Sequence, residues 1–368
     1  MINGDLIKVS VVMPIYNAYD YLRPALDSVL GQTLEDIELI CVDDGSIDRS
    51  LDVIKEYQKS DSRIRILTES NAGPSIARNK GLARARGEFV IFLDADDFYE
   101  PELLEKLYNL AVADNLDIAV AKYDIYNSRK ARFEPKISSE HDEIFDRDGI
   151  VSRSKYPDYI FQCTTTYVWN KLFKRSFLTS KGLLFPEEIR VFEDVYFVLC
   201  ALAMADRVGK VSEVLVHHRV YSQQSKNKLF KKYYNQVPSL YAELKKYLMQ
   251  NGVFSPLFRT FINYTTSRCF KIYNVLWNDA KDEFWNLLYN GAAEKIDWIK
   301  ADPDDFESEE VRDFTASVLI YNHKQYLKRE KKGARVKISG VRQGIKNVRF
   351  RKRIRELLSK LFGKKKDK

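Results

Sequence analysis

Three aspartates carry the plainest chemistry in this chain. Asp94, Asp96 and Asp97 follow at once on the apolar run Phe89–Leu93, in the stretch GEFVIFLDADDFYEP at residues 87–101. Such a run is expected to be a buried strand. Carboxylates gathered at its end repel one another and lose hydration unless a counter-charge compensates them. Hard divalent cations prefer oxygen ligands, and Mg2+ commonly takes one or two carboxylates, leaving its other positions to water and phosphate oxygens. The spacing therefore points to Mg2+ or Mn2+ shared with an anionic ligand, a diphosphate above all. An isolated Asp-x-Asp is also what a solvated turn looks like. Here the context favours a metal, because a second pair, Asp43 and Asp44, ends another apolar run.

The elements that would position these residues are legible as an alternation. KVSVVMPIYN, IELICVDDGS, IRILTES and GEFVIFLDADD are compact apolar runs. YLRPALDSVLGQT, SLDVIKEYQKS and SIARNKGLARAR between them have helical spacing. Strands alternating with helices of this length predict parallel βαβ units, and strands buried on both faces read as continuous apolar runs. Tyr16 and Asn17, Asp43 and Asp44, and Asp94 to Asp97 all fall at the carboxyl ends of these runs, the edge where open α/β sheets bind ligands. PELLEKLYNLAVADN then reads as a helix and LDIAVAKYDIYN as a further strand. Residues 128–160 are weakly patterned. Glu193 and Asp194 stand just ahead of a helical apolar run, and VSEVLVHHRVYSQQS reads as a late strand and loop. The expected domains are an α/β catalytic domain over 1–225, a helical region over 226–327 and a basic tail over 328–368.

Composition narrows the class. No apolar run approaches the roughly 20 residues that cross a bilayer. The start of the chain lacks the pattern of a signal peptide. The four cysteines are widely spaced, without a CxxC or Cys/His pattern, and are expected to be free thiols in a reducing cytoplasm. The net charge of +8 conceals a split: residues 328–368 hold 18 Lys and Arg against 3 Asp and Glu, a net of +15, which leaves −7 for the rest. An acidic body argues against nucleic acid as the partner. In the tail, Phe350, Ile354, Leu357, Leu358, Leu361 and Phe362 share one helical face with Arg and Lys on the other, the pattern of an amphipathic helix on an anionic membrane. A helix packed on the body would show the same pattern.

VSVVMPIYNAYDYLRPALDSVLGQT, IELICVDDGSIDRS and NAGPSIARNKGLARARGEFVIFLDADD together resemble the nucleotide-sugar-binding half of the family 2 glycosyltransferases, inverting enzymes of the GT-A fold. The resemblance runs from about Lys8 to Tyr123. A weaker one continues through VWNKLFKRSFL, FPEEIRVFEDVYF and HHRVYSQQS, as in members that build bacterial surface polysaccharides.

That resemblance implies roles for particular residues. Pro14, Tyr16 and Asn17 would line the base and ribose pocket. Asp43 or Asp44 would hydrogen-bond the base, most often uracil. Side chains alternate along a strand, so one of the pair is expected to point in. Arg78 would sit near the donor phosphates, where it would otherwise be an exposed helix arginine. Asp96 would ligate the metal, with Asp94 nearer the ribose or sugar. Asp194 of the Glu193–Asp194 pair would be the general base, although by position alone that pair is a helix cap. His217 or His218 would either complete the metal shell or pack, and Trp169, Asn170 and Lys171 would border the acceptor side. The expected activity is metal-dependent transfer of a hexosyl or N-acetylhexosaminyl group, from a UDP-sugar to a glycan or lipid-linked acceptor at the inner face of the cell membrane. Two alternatives stand beside it. A nucleotidyl transferase would need a Gly-rich, basic loop after the first strand, where PIYNAYDYL has no glycine. The other is a catalytically inactive nucleotide-sugar-binding or scaffold protein of the same fold.

Overall fold

The first strand, β1 (Val9–Ile15), buries six of its seven residues, with Pro14 partly exposed. The second, β2 (Ile37–Asp43), buries all seven. Strands this apolar need cover on both faces, and helices supply it: α1 (Tyr19–Leu30) turns Leu22, Ala25, Leu26 and Val29 inward, and α2 (Ser50–Ser60) adds Val53 and Ile54. The series continues through β3 (Ile64–Thr68), α3 (Pro74–Arg84), β4 (Phe89–Phe92), β5 (Phe98–Tyr99), α4 (Leu103–Ala113), β6 (Ile118–Asn127), β7 (Arg132–Glu134) and α5 (Glu143–Asp148). It ends with β8 (Lys171–Lys174), α6 (Arg175–Ser180), α7 (Glu193–Met204) and β9 (Val208–Val220). The structure is a computed structural model that describes residues 6–134, 141–189, 192–220 and 233–330.

The strands form one sheet in the order β3-β2-β1-β4-β8-β6-β9-β5, with β7 on β6. The block β3-β2-β1-β4 is parallel throughout, as the alternating runs predict. Strand β8 enters between β4 and β6 and runs antiparallel to both, whereas β9 lies parallel to β6. Strands β5, β7 and β8 have two, three and four residues, too short to show a periodicity in the sequence. The β1–β4 register pairs Val9 with Phe89 and Val12 with Phe92, so the ends of β1 and β4 reach the same rim.

Two compact units divide the chain, Met1–Phe230 and Lys231–Lys368. The second is helical over its described residues: α8 (Val237–Gln250), α9 (Phe258–Val275), α10 (Asn278–Leu287), α11 (Glu309–Ile320) and α12 (His323–Glu330), with short turns between them. Its core is aromatic. Trp285 and Trp298 are fully buried, and their indole N–H groups donate to Tyr321 O at 2.9 Å and Thr265 Oγ1 at 3.1 Å. No described helix is long and apolar enough to cross a membrane. The amphipathic pattern beyond Glu330 lies outside the described residues, as does the loop reading of 221–225.

Candidate active site

The turn after β4 brings one carboxylate oxygen from each of Asp94, Asp96 and Asp97 within 4.8 Å of the others, close enough to hold a metal ion. The three are not equivalent. Asp97 is fully buried and accepts the Arg219 backbone N–H at 2.8 Å, and His218 Nδ1 lies 3.1 Å from each of its oxygens. Asp94 accepts from Arg78 Nη2 at 2.9 Å, and its carbonyl accepts from Tyr99 at 2.9 Å. Asp96 receives no hydrogen bond from another side chain among the described residues. Burial, and then Asp97 and Asp94, push its carboxyl up to about 7. Two carboxylates are thus anchored from behind while a third keeps its lone pairs and its repulsion. That donor set fits a hard divalent cation.

Helix α7 begins with Glu193 and Asp194, and Phe192 just before it takes a left-handed φ of 66° to start the turn. Arg78, from the middle of α3, reaches both carboxylate groups: Nη1 donates to Glu193 Oε1 and Nη2 to Asp94 Oδ1, each at 2.9 Å. Arg78 is 6% exposed, which removes the reading of an exposed helix arginine. Its guanidinium lies 5.4 Å from the centre of the Phe185 ring, and its Nε is buried without a hydrogen-bond partner among the described residues. Asn79 fixes that phenylalanine by exchanging two hydrogen bonds with the Phe185 backbone, each of 2.9 Å. Asp194 accepts from its neighbour Val195 N at 2.8 Å. Burial, and then Glu193, raise its carboxyl to about 7, against the opposing pull of Arg78.

At the ends of β1 and β2 the two candidate base-binding aspartates part ways. Asp44 accepts the Ala72 and Gly73 amides at 2.6 and 2.8 Å, so it clamps the turn into α3. Gly73 there has φ of 99°, which a side chain would resist. Asp43 is buried, and its Oδ1 has no partner among the described residues, the kind of orphaned oxygen that a ligand or water explains. Tyr16 stays half-exposed, its hydroxyl accepting from Asn71 at 3.0 Å. Asn17, at φ 50°, accepts the Ile47 amide at 2.9 Å, and Pro14 lies two residues before Tyr16 on β1. These groups line the same sheet edge as the acid cluster.

Other expectations change. Trp169, Asn170 and Lys171 do not border an open acceptor face: they are 3%, 2% and 0% exposed. Lys171 Nζ donates to Thr165 O, Tyr167 O and Asn170 Oδ1 at 2.6–2.8 Å, so its ammonium organises the loop that precedes β8. Burial still pulls its pKa down to about 7. The Trp169 ring lies nearly parallel to those of Tyr167 and His218, with ring centres 4.8 and 5.1 Å away. His217 bridges Asp124 and Glu100 at 2.7 and 2.8 Å, and its ring lies against Phe98 and Phe133. His218 braces Asp97. Residues that sequence reasoning left without a role are Asp97 as an anchor, Glu193 as the partner of Arg78, and the Asn79–Phe185 tie. Adjacency to Asp96, Asp194 and Arg78 was the signal available for each.

Comparison with known proteins identifies the family and the fold. The profile of "Glycosyl transferase family 2" matches residues 10–177. A Bacillus subtilis (strain 168) protein named "Putative glycosyltransferase EpsH" is 32% identical over 247 residues, covering 66% of this chain and 70% of that one. The "Cholesterol galactosyltransferase" of Borreliella burgdorferi is 29% identical over 320 residues, 78% of this chain and 81% of that one. The crystal structure of S. aureus TarS 1–349 in complex with UDP-GlcNAc shares the fold with a TM-score of 0.66 at 19% identity, over 93% of this chain and 91% of that one.

Proposed function

This chain belongs to glycosyl transferase family 2, and we propose that it moves a sugar, with inversion, from a UDP-sugar to a glycan or lipid-linked acceptor, Asp194 serving as general base. The observation that carries this reading is the joining of two distant sites. Through Arg78, an acid cluster able to hold a cation is tied to Glu193, and so to the helix start where the neighbouring carboxylate, Asp194, is raised to about 7, from positions about 100 residues apart in the chain. A proton acceptor works best when its pKa lies near the working pH.

In this reading Tyr16, Asn17, Pro14 and Asp43 hold the nucleoside, with Asp44 shaping the loop beside it. Asp96, backed by Asp94 and Asp97, would hold Mn2+ or Mg2+. A bound divalent cation supplies charge neutralisation for a departing diphosphate. Asp194 takes the proton of the acceptor hydroxyl as that oxygen bonds to the anomeric carbon and the bond from that carbon to the diphosphate oxygen breaks. Attack opposite the leaving group inverts the centre. The UDP choice is supported by the ligand in the TarS crystal, and a lipid-type acceptor by the name of the Borreliella relative. A role in surface polysaccharide synthesis at the inner membrane face follows the same line, with the basic tail as the membrane contact and the domains divided at 225 and 327.

The test is calorimetry of the whole chain with UDP, GDP, CDP and TDP, each with and without Mn2+, on the wild type and Asp96→Ala. Metal-dependent binding of UDP that disappears in the variant is the expected result. Binding of no nucleotide by the folded wild type would end the reading.

A further inference from the structure

We propose that Arg78 and Glu193 are a pair of positioning residues through which the donor-side carboxylates set the place and proton affinity of Asp194. The inference rests on Asp194 being the base. Neither residue is required to touch a reacting atom.

The geometry carries it. Each terminal nitrogen of Arg78 donates to a carboxylate, one in the acid cluster and one in the first turn of α7, at 2.9 Å each. Its plane is set by Phe185, which Asn79 ties back to the same helix. Any shift of Asp94 is therefore passed through one rigid, planar group to Glu193 and so to the helix start that carries Asp194. Two of the five N–H donors of Arg78 are thus directed at protein carboxylates, and its Nε is buried without a hydrogen-bond partner among the described residues.

Among the described residues, the charges facing Asp194 come from four elements: Glu193 on α7 itself, Arg78 on α3, Asp94 after β4, and Lys171 on β8. Glu193 and Arg78 act on it in opposite directions. Removing the negative neighbour should make Asp194 a weaker proton acceptor, and removing the positive one a stronger one. Loss of packing alone would not produce shifts of opposite sign at one carboxyl.

The experiment follows the 13C-carboxyl resonances of aspartate in the full-length, metal-free chain as a function of pH. The Asp194 signal is identified by its absence in Asp194→Asn. The expected result is a midpoint lowered by about one pH unit in Glu193→Gln and raised by a similar amount in Arg78→Gln, with Arg78→Lys close to the wild type. Release of UDP from UDP-GlcNAc with Mn2+ gives the kinetic counterpart, in which the acidic limb of the rate moves the same way and the affinity for UDP changes less than about threefold. Midpoints that do not move, or that move together, overturn the proposal. So does a loss of UDP affinity of about tenfold in Arg78→Gln with an unmoved midpoint, which would make Arg78 a phosphate ligand. If Arg78→Gln fails to fold, Glu193→Gln decides alone, since its amide oxygen still accepts from Arg78. Undiminished UDP release by Asp194→Asn would instead remove the base assignment. An inactive Asp194→Asn beside unmoved midpoints in the other variants would remove only the present inference.

Discussion

Asp194 accepts a single backbone hydrogen bond, lies beside Glu193 and is partly buried, so it holds its proton up to about pH 7. Two expectations follow from a base of that strength. The rate should rise about tenfold per pH unit below pH 7 and level off above it, which initial rates in overlapping buffers would show; a flat profile from about pH 5 to 8 would contradict the assignment. Asp194→Asn keeps the shape and loses the basicity. It should lower transfer by about 10²–10⁴-fold while leaving UDP affinity within about twofold. Asp96 makes a different demand. Its folded carboxyl sits near 7 against an ordinary 3.8, so the folded chain holds more protons than the unfolded one between those values. The stability associated with this group is present below about pH 4 and is lost as pH rises through 7. Asp96→Asn should accordingly raise metal-free stability at pH 8 by about 1–2 kcal/mol, read from urea unfolding in EDTA, while abolishing metal-dependent nucleotide binding. A less stable variant would show that the acid cluster is not strained in the way described.

Among the elements, α3 does most to assemble the site. It starts at Gly73, whose amide Asp44 receives, and it carries Arg78 and Asn79 on the turn before Gly81. Gly81 faces Val12 of β1, and a Cβ there would overlap the valine side chain. Gly81→Ala is therefore expected to push the helix off the sheet, cost about 1–3 kcal/mol and depress activity by displacing Arg78. Adding Val12→Ala makes room and should recover part of the stability. Urea midpoints of the two variants test this, and an unchanged Gly81→Ala would mean that the helix is seated elsewhere. The far end of the same sheet offers a contrast. Glu38 is also buried, yet it accepts from Ser10 at 2.7 Å, from the Arg86 amide at 2.7 Å and from Arg65 at 2.8 Å. Burial opposes its charge, but those partners prevail and hold its carboxyl below the usual range. A satisfied carboxylate at the amino-terminal edge belongs to the frame, whereas the unsatisfied Asp96 and Asp194 at the other edge are available to ligands and protons.

For the whole molecule, the question is how an acidic body and a basic end divide the work. The 18 Lys and Arg against 3 Asp and Glu in residues 328–368 would draw the chain to an anionic bilayer, where a lipid-linked acceptor would lie. The full chain should co-sediment with phosphatidylglycerol-containing vesicles at about 0.05 M salt and largely release at about 0.3 M, as screening shortens the reach of the charges. Ending the chain after Glu330 should abolish the binding. Sedimentation of the shortened chain to the same extent would place the contact elsewhere. The helical unit around Trp285 and Trp298 has an aromatic core of its own.

The α/β class, the parallel run of the first strands and the helical second part were readable from the sequence alone. They rest on periodicity and on apolar runs, which each segment carries within itself. The Asp94–Asp97 cluster was readable too, because it sits where an apolar strand must stop. Tertiary structure decided the rest. Arg78 and Glu193 stand 115 positions apart, and no local pattern forecasts an ion pair between two helices. Asp43 and Asp44 are neighbours of one type, and only the path of the Asn71–Gly73 turn separates the clamp from the orphaned oxygen. A lysine in a polar stretch reads as exposed, yet Lys171 is buried because its own preceding loop supplies three acceptors. Residue type and spacing set which groups could do chemistry. Which of them keep a lone pair, a charge or a proton for it was settled by long-range packing, since desolvation and pairing depend on neighbours that the chain brings in from afar.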